Sequence, residues 1–111
     1  MKQYDVYLAD LSPTVGREQF GKRPVLVISN DYENLLDIVT IIPITSLKEG
    51  RKVYPNELLL KDELKKPSIL LCQQIRSISK RRLVKKLTRI ENFYTQKKIV
   101  EILCMRFEWM D

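Results

Sequence analysis

The apolar pattern of this chain changes period once, near Glu91, and that change limits the fold more than any other feature. Up to residue 90 the apolar residues come in short runs of strand length; from Phe93 on they recur every three or four positions. Residues 4–11 alternate, with Tyr4, Val6 and Leu8 on one face and Asp5, Tyr7 and Ala9 on the other. Residues 25–29 and 37–45 are continuous apolar runs, the second rich in β-branched residues, with Pro43 implying an edge or a bulge. Residues 68–75 make a third strong strand, 54–60 a weaker one, and 83–90 a short basic one. Residues 30–36 read as a turn or one helical turn, 76–82 as a turn, and 48–52 as a charged loop. Phe93, Tyr94, Lys97, Val100, Leu103, Cys104 and Phe107 then form the stripe of an amphipathic helix running from about Asn92 to about Trp109. Thr88 and Glu91 could form a capping box, but residues 84–90 read better as strand. The expected class is mainly β with α: five or six strands in a bent sheet or partly open barrel, closed on one side by the terminal helix.

Composition narrows the partners. At 111 residues, 44% hydrophobic and 31% charged, the chain reads as one globular domain spanning residues 1–111. No apolar run approaches the roughly 20 residues of a membrane helix, and Asp5 precedes any apolar stretch, so a cytoplasmic protein is expected. Cys72 and Cys104 both sit among apolar neighbours and are expected to be buried free thiols. Two thiols and no histidine make structural zinc improbable. Residues 1–60 hold 7 Lys/Arg against 8 Asp/Glu, whereas residues 61–111 hold 13 against 6. Such a basic half suits a nucleic-acid partner.

The chemistry must then come from a short list of groups. With no histidine, neither an imidazole acid–base pair nor a His-dependent triad is available. Asp10, Glu18, Asp31 and Asp37 are scattered, without the spacing of a metal clamp. Three segments offer polar groups at strand ends. The first is the loop holding Arg17, Glu18, Gln19, Phe20, Lys22 and Arg23, bracketed by Gly16 and Gly21 and running into Pro24 at the mouth of an apolar strand. Arg23 stands where this loop meets that strand, a good place to hold a guanidinium still against phosphate. The second segment is Thr45 and Ser46, the third Gln73 and Gln74. Two adjacent amides ending an apolar run put one of them inward if that strand is half-buried.

Several blocks together resemble the MazF/PemK (PemK/Kid) family of toxin–antitoxin endoribonucleases. They are Asp5-Val6-Tyr7-Leu8-Ala9-Asp10-Leu11-Ser12-Pro13 with Gly16, Glu18-Gln19 and Gly21; Arg23-Pro24-Val25-Leu26-Val27-Ile28; Pro43-Ile44-Thr45-Ser46; and Ser68-Ile69-Leu70-Leu71 with Gln74-Ile75-Arg76-Ser77-Ile78, then Arg82-Leu83. The order and spacing match over residues 4–90. The resemblance implies an SH3-like barrel, a homodimer, a cognate antitoxin, and cleavage of single-stranded RNA without metal or cofactor. It assigns catalysis to Arg23 and Thr45. The positions where the Kid-like branch carries His, Arg and Asp hold Arg17, Leu71 and Gln73 here, so that version cannot operate. Where the Arg/Thr branch often has Glu-Gln, this chain has Gln73-Gln74, and its first Asp follows Tyr4 in place of a common Gly.

The implied reaction is attack of a ribose 2′-OH on its own 3′-phosphate, leaving a 2′,3′-cyclic phosphate and a 5′-OH. Arg23 would stabilise the charged phosphorane, and Thr45 would orient the phosphate or the 2′-OH. Glu18 is the nearest carboxylate in sequence for the 2′-OH proton. Arg17, Glu18, Gln19, Lys22, Ser46, Gln73 and Gln74 are the candidate substrate contacts. Phe20 is either a stacking platform or a pin for its loop. A dimer is expected to bury apolar surface from residues 25–28 and 69–75, with the helix as a further contributor. Two rival readings fit the same residues: a CcdB-like gyrase poison using Trp109, and a nucleic-acid adaptor without chemistry.

Overall fold

The computed structural model describes residues 1–108. Its elements are β1 (Asp5–Asp10), β2 (Lys22–Val27), β3 (Ile38–Ser46), β4 (Leu58–Leu60), β5 (Ser68–Leu70), β6 (Arg76–Ser79), β7 (Leu83–Arg89) and α1 (Phe93–Arg106). Short 3-10 turns occupy Glu33–Leu35, Cys72–Gln74 and Lys80–Arg82. All the ladders are antiparallel and run in the order β4-β5-β3-β2-β1-β7, with β6 also on β3. Among the described residues this path is open, so the architecture is a mainly antiparallel sheet with one C-terminal helix. Trp109 lies outside the described residues.

The apolar runs are continuous because both faces of the central strands are buried. Leu26, Ile42 and Ile44 point toward a core shared with Val6, Leu70 and Ile90, which α1 covers with Ile99 and Ile102. Val25, Val27, Val39 and Ile41 alternate to the opposite face, packing with Ala9, Leu11 and Ile78. This overturns the strand part of the expected dimer surface: residues 25–28, 69 and 70 are already buried within one chain.

β3 is central, not an edge, despite Pro43. Along one side it pairs first with β6, through Ile41, and then with β5, from Ile44. Pro43 falls at the changeover. Its carbonyl accepts from Leu71 N–H at 2.9 Å on that side, so its missing N–H faces the same gap and removes no ladder bond. The expected strand over 68–75 is broken at the same place. The chain leaves β5 after Leu70, makes the 3-10 turn and re-enters the sheet as β6, so part of the expected turn at 76–82 is strand.

The helix begins as expected. Asn92 is its N-cap, and the Asn92 Oδ1 accepts from Thr95 N–H at 3.0 Å. Its buried stripe differs from the expected one. Ile99 and Ile102, with Leu103 partly buried, face the core, while Phe93, Tyr94, Val100, Cys104 and Phe107 are exposed. Cys104 is therefore not a core residue. Cys72 is, and burial pushes its thiol up to about 11.

Two polar details close the sheet. Asp5 is 2% exposed and accepts from Lys2 N–H at 2.9 Å and from Arg89 Nη1 at 3.2 Å, with Lys86 Nζ 3.4 Å away. Burial alone would raise its pKa, but these donors outweigh burial and the carboxyl is lowered. Tyr4 adopts φ +74°, the left-handed region that favours glycine, held by Tyr4 N–H on Val27 O at 2.7 Å and Ile90 N–H on Tyr4 O at 2.9 Å.

Candidate functional site

Two loops and a turn meet beyond the C-terminal end of β3. The first loop joins β1 to β2. Its neck is closed by Leu11 N–H on Gly21 O at 2.9 Å, by Gly21 N–H on Ser12 Oγ at 3.0 Å, and by Arg82, which donates to the carbonyls of Asp10 and Ser12. Gly21, at φ +71°, supplies a backbone conformation that a side chain would strain. The loop is tied down at Gln19, whose N–H donates to Gln74 Oε1 at 2.9 Å.

The second loop, residues 47–57, is organised around Glu57. That side chain is 2% exposed. Arg51 grips it with Nη1 at 2.8 Å and Nη2 at 2.9 Å, Tyr54 N–H donates at 3.1 Å, and Gln73 Nε2 donates at 3.2 Å. The Arg51 guanidinium is the largest cause holding the Glu57 carboxyl down at about 2; burial opposes it, and the Tyr54 and Gln73 donors reinforce it.

Between these parts is a cavity of about 240 Å³. Thr45 and Ser46 enter it from β3, Lys48 and Arg51 from the second loop, Gln73 and Gln74 from the 3-10 turn, and Gln19 from the first loop, with Leu71 as the apolar wall. Arg23 does not line it but stands beside it. The last β2/β3 pair is Val25↔Pro43, and continuing that antiparallel register two residues sets Arg23 opposite Thr45. Arg23 Nε donates to Phe20 O at 3.3 Å.

Five of the residues expected from sequence are thus brought together: Gln19, Thr45, Ser46, Gln73 and Gln74. The amides lie on a 3-10 turn and not on a strand end, each with a defined task, one tying the first loop and one on Glu57. Arg17, Glu18, Phe20 and Lys22 lie outside the cavity, on the solvent side. Glu18 is occupied locally, its Oε1 accepting from Val15 N–H at 3.2 Å while its Oε2 lies 4.0 Å from Arg76. Phe20 is 62% exposed and does not pin its loop by burial. Sequence reasoning missed Lys48, Arg51 and Glu57, because a charged loop carries no periodicity. The spacing of Arg51 and Glu57 says nothing about a pair until the loop folds back.

Chemically, the cavity offers cationic nitrogen, two hydroxyls and three amides, donors and acceptors for phosphate oxygens and base edges. Among the described residues no three His, Cys, Asp or Glu side chains gather as a metal-binding group. The fold and site define a small basic sheet protein with a cleft suited to a polyanion.

Comparison with known proteins places it further. A model of the family described as "PemK-like, MazF-like toxin of type II toxin-antitoxin system" matches residues 2–103, and the chain belongs to that family. Endoribonuclease EndoA of Bacillus subtilis is 38% identical over 95 residues, covering 83% of this chain and 82% of that protein. Endoribonuclease MazF of Staphylococcus saprophyticus is 38% identical over 105 residues, covering 92% and 84%. Among solved structures, MazF of Deinococcus radiodurans superposes with TM-score 0.76 at 27% identity, over 95% of this chain and 93% of that one. An endoribonuclease in complex with its cognate antitoxin, from a mycobacterial species, has the same fold with TM-score 0.78, at 20% identity and 99% coverage of both chains. Nothing in these comparisons supports the gyrase-poison alternative.

Proposed function

We propose that this chain is the toxin of a toxin–antitoxin pair and cleaves single-stranded RNA at selected sequences, without metal, in the cytoplasm. This reading is carried by the β2/β3 register, which ends at Val25↔Pro43 and, continued two residues, sets Arg23 opposite Thr45, beside a hydroxyl- and amide-lined cavity, in a member of this toxin family. Relatives 38% identical over most of the chain are named endoribonucleases.

In the proposed reaction the 2′-OH oxygen gives its proton to solvent and forms a bond to the adjacent phosphorus, as the bond to the 5′-oxygen of the next nucleotide breaks and that oxygen takes up a proton. Arg23 meets the charge that grows on the non-bridging oxygens, where a fixed guanidinium acts most strongly in the transition state. Thr45 Oγ1 orients the phosphate or the 2′-OH. Neither carboxylate near the site is a ready base: Glu57 is held at about 2, and Glu18 is engaged with its own loop. Gln19, Ser46, Gln73 and Gln74 contact the splayed strand from the cavity, while Arg17, Glu18, Phe20 and Lys22 meet it along the outer loop.

Residues 1–111 act as one domain, the bent sheet under α1 serving as a half-open SH3-like barrel. The active species is a homodimer. Since the central strands are buried within one chain, its surface draws on the exposed apolar side chains of α1, Phe93, Tyr94, Val100 and Met105. A cognate antitoxin covers the cleft.

The decisive experiment offers single-stranded RNA in EDTA, with one substrate carrying deoxyribose 5′ to the scissile phosphate. Cleavage of the all-ribose strand, and none at the deoxy position, is the expected result. Cutting at the deoxy position would overturn the 2′-OH mechanism.

A further inference from the structure

Behind the cavity lies a carboxylate that the proposed reaction does not use. Glu57 is buried and accepts four hydrogen bonds, two from Arg51, one from the backbone of Tyr54 and one from Gln73. Arg51 and Gln73 are both walls of the cavity that contains Thr45 and Ser46. One buried anion therefore orders two of the groups that a bound strand would meet. A buried ion pair is a weak source of stability compared with apolar packing of the same volume, so its geometric effect is the more informative one.

That effect is sharpest at Gln73. An ionised carboxylate only accepts hydrogen bonds, so the amide must turn its NH₂ toward Glu57 and its oxygen elsewhere. Gln73 Oε1 is buried and, among the described residues, has no hydrogen-bond partner. An unsatisfied buried acceptor is costly, and a donor arriving with a ligand relieves that cost. On single-stranded RNA the donors that vary with sequence are the N–H groups of an unstacked base, the 2′-OH being common to every nucleotide.

We infer that Glu57 is a positioning residue: it locks Gln73 as an acceptor and Arg51 as a donor at the cavity, and so sets the base preference at one nucleotide beside the scissile phosphate. This rests on the ribonuclease reading above. A base that offers an N–H to Gln73 and an acceptor to Arg51 fits, and one that reverses the two leaves both sides unpaired. Glu57→Gln removes the lock, because an amide at that position can face Gln73 with either end.

The test maps cleavage sites on a randomised single-stranded RNA for the wild type, Glu57→Gln and Gln73→Leu, with thermal melts to establish folding. Gln73→Leu leaves the Arg51–Glu57 pair in place, so it can overturn the inference even if Glu57→Gln does not fold. The expected result is that folded variants lose preference at the same single position. KM should rise by about tenfold, with a smaller fall in kcat, the pattern of lost binding. Wild-type preference retained at every position by Gln73→Leu overturns the inference while leaving the nuclease reading intact. Loss at different positions in the two folded variants also overturns it. A wild type that cuts no RNA overturns both.

Discussion

The two loops that flank the cavity look alike in sequence and behave differently in structure. Each is charged, and each contains glycine. In the loop between β1 and β2 the charges face water: Arg17, Glu18 and Lys22 are exposed, and the loop is held at its neck and at Gln19 by hydrogen bonds to its backbone groups. In the 47–57 loop Lys48, Glu49 and Lys52 are exposed too, but Glu57 folds inward and is buried under Arg51. The first loop can move its charges to meet a ligand, whereas the second presents Arg51 already ordered. Charge density alone does not distinguish an adaptable loop from a preorganised one; burial of a single counter-ion does.

Removing the guanidinium beside the cavity should have the largest effect. Arg23→Ala is expected to raise the barrier to RNA cleavage by about 3 kcal/mol, on the scale of losing an oxyanion-type donor. Arg23→Lys should recover little, because a point charge does not replace the fork. Single-turnover rates on a defined RNA measure both, and near-normal cleavage by folded Arg23→Ala would move the active site elsewhere.

Stability separates the loops next. Glu57→Ala strands Arg51 and Gln73 and should cost about 2–3 kcal/mol in urea unfolding, while Glu18→Ala should stay within about 0.5 kcal/mol. Equal effects would erase the contrast. The same contrast has a pH signature. The Glu57 carboxyl at about 2 lies below its ordinary 4.5, so its stabilisation is complete above 4.5 and is lost as pH falls toward 2, where the unfolded chain takes up its proton first. The stability gap between wild type and Glu57→Gln should therefore narrow from pH 6 to pH 3, and a constant gap would contradict the lowered pKa.

Thr45→Ala should slow cleavage about tenfold, roughly 1.4 kcal/mol, by loosening the phosphate and not by removing charge. The smallest effect falls on the outer loop. Arg17→Ala should weaken RNA binding by a few-fold, and the difference from wild type should fade as salt rises; filter binding at two ionic strengths checks it.

Much of the scaffold is legible in the chain. The basic strand β7 and the start of α1 follow from local signals: alternation and a change of period. The stripe on α1 is harder, because Phe93, Val100 and Phe107 compete with Ile99 and Ile102 at helical spacing, and only the shape of the sheet beneath selects between them. Tyr4 at φ +74° is likewise invisible locally; its neighbours in space, Val27 and Ile90, impose the conformation. The site divides in the same way. Arg23, Thr45, Gln73 and Gln74 stand out by sequence, at strand ends and loop edges. Their separation into a cavity wall, a loop tether and a flanking guanidinium does not.

By itself the sequence determined most of the strand runs, the helix and where it starts, and the family blocks, because each is written in residues within a few positions of one another. Only the tertiary structure decided that Pro43 sits harmlessly inside a central strand, that the run over 68–75 breaks into strand, turn and strand, and that Glu57 closes on Arg51 and Gln73. The physical reason is common to all three. Which hydrogen bond a backbone or a buried carboxylate makes depends on partners far away in the chain, and those partners arrive only when the sheet has been assembled.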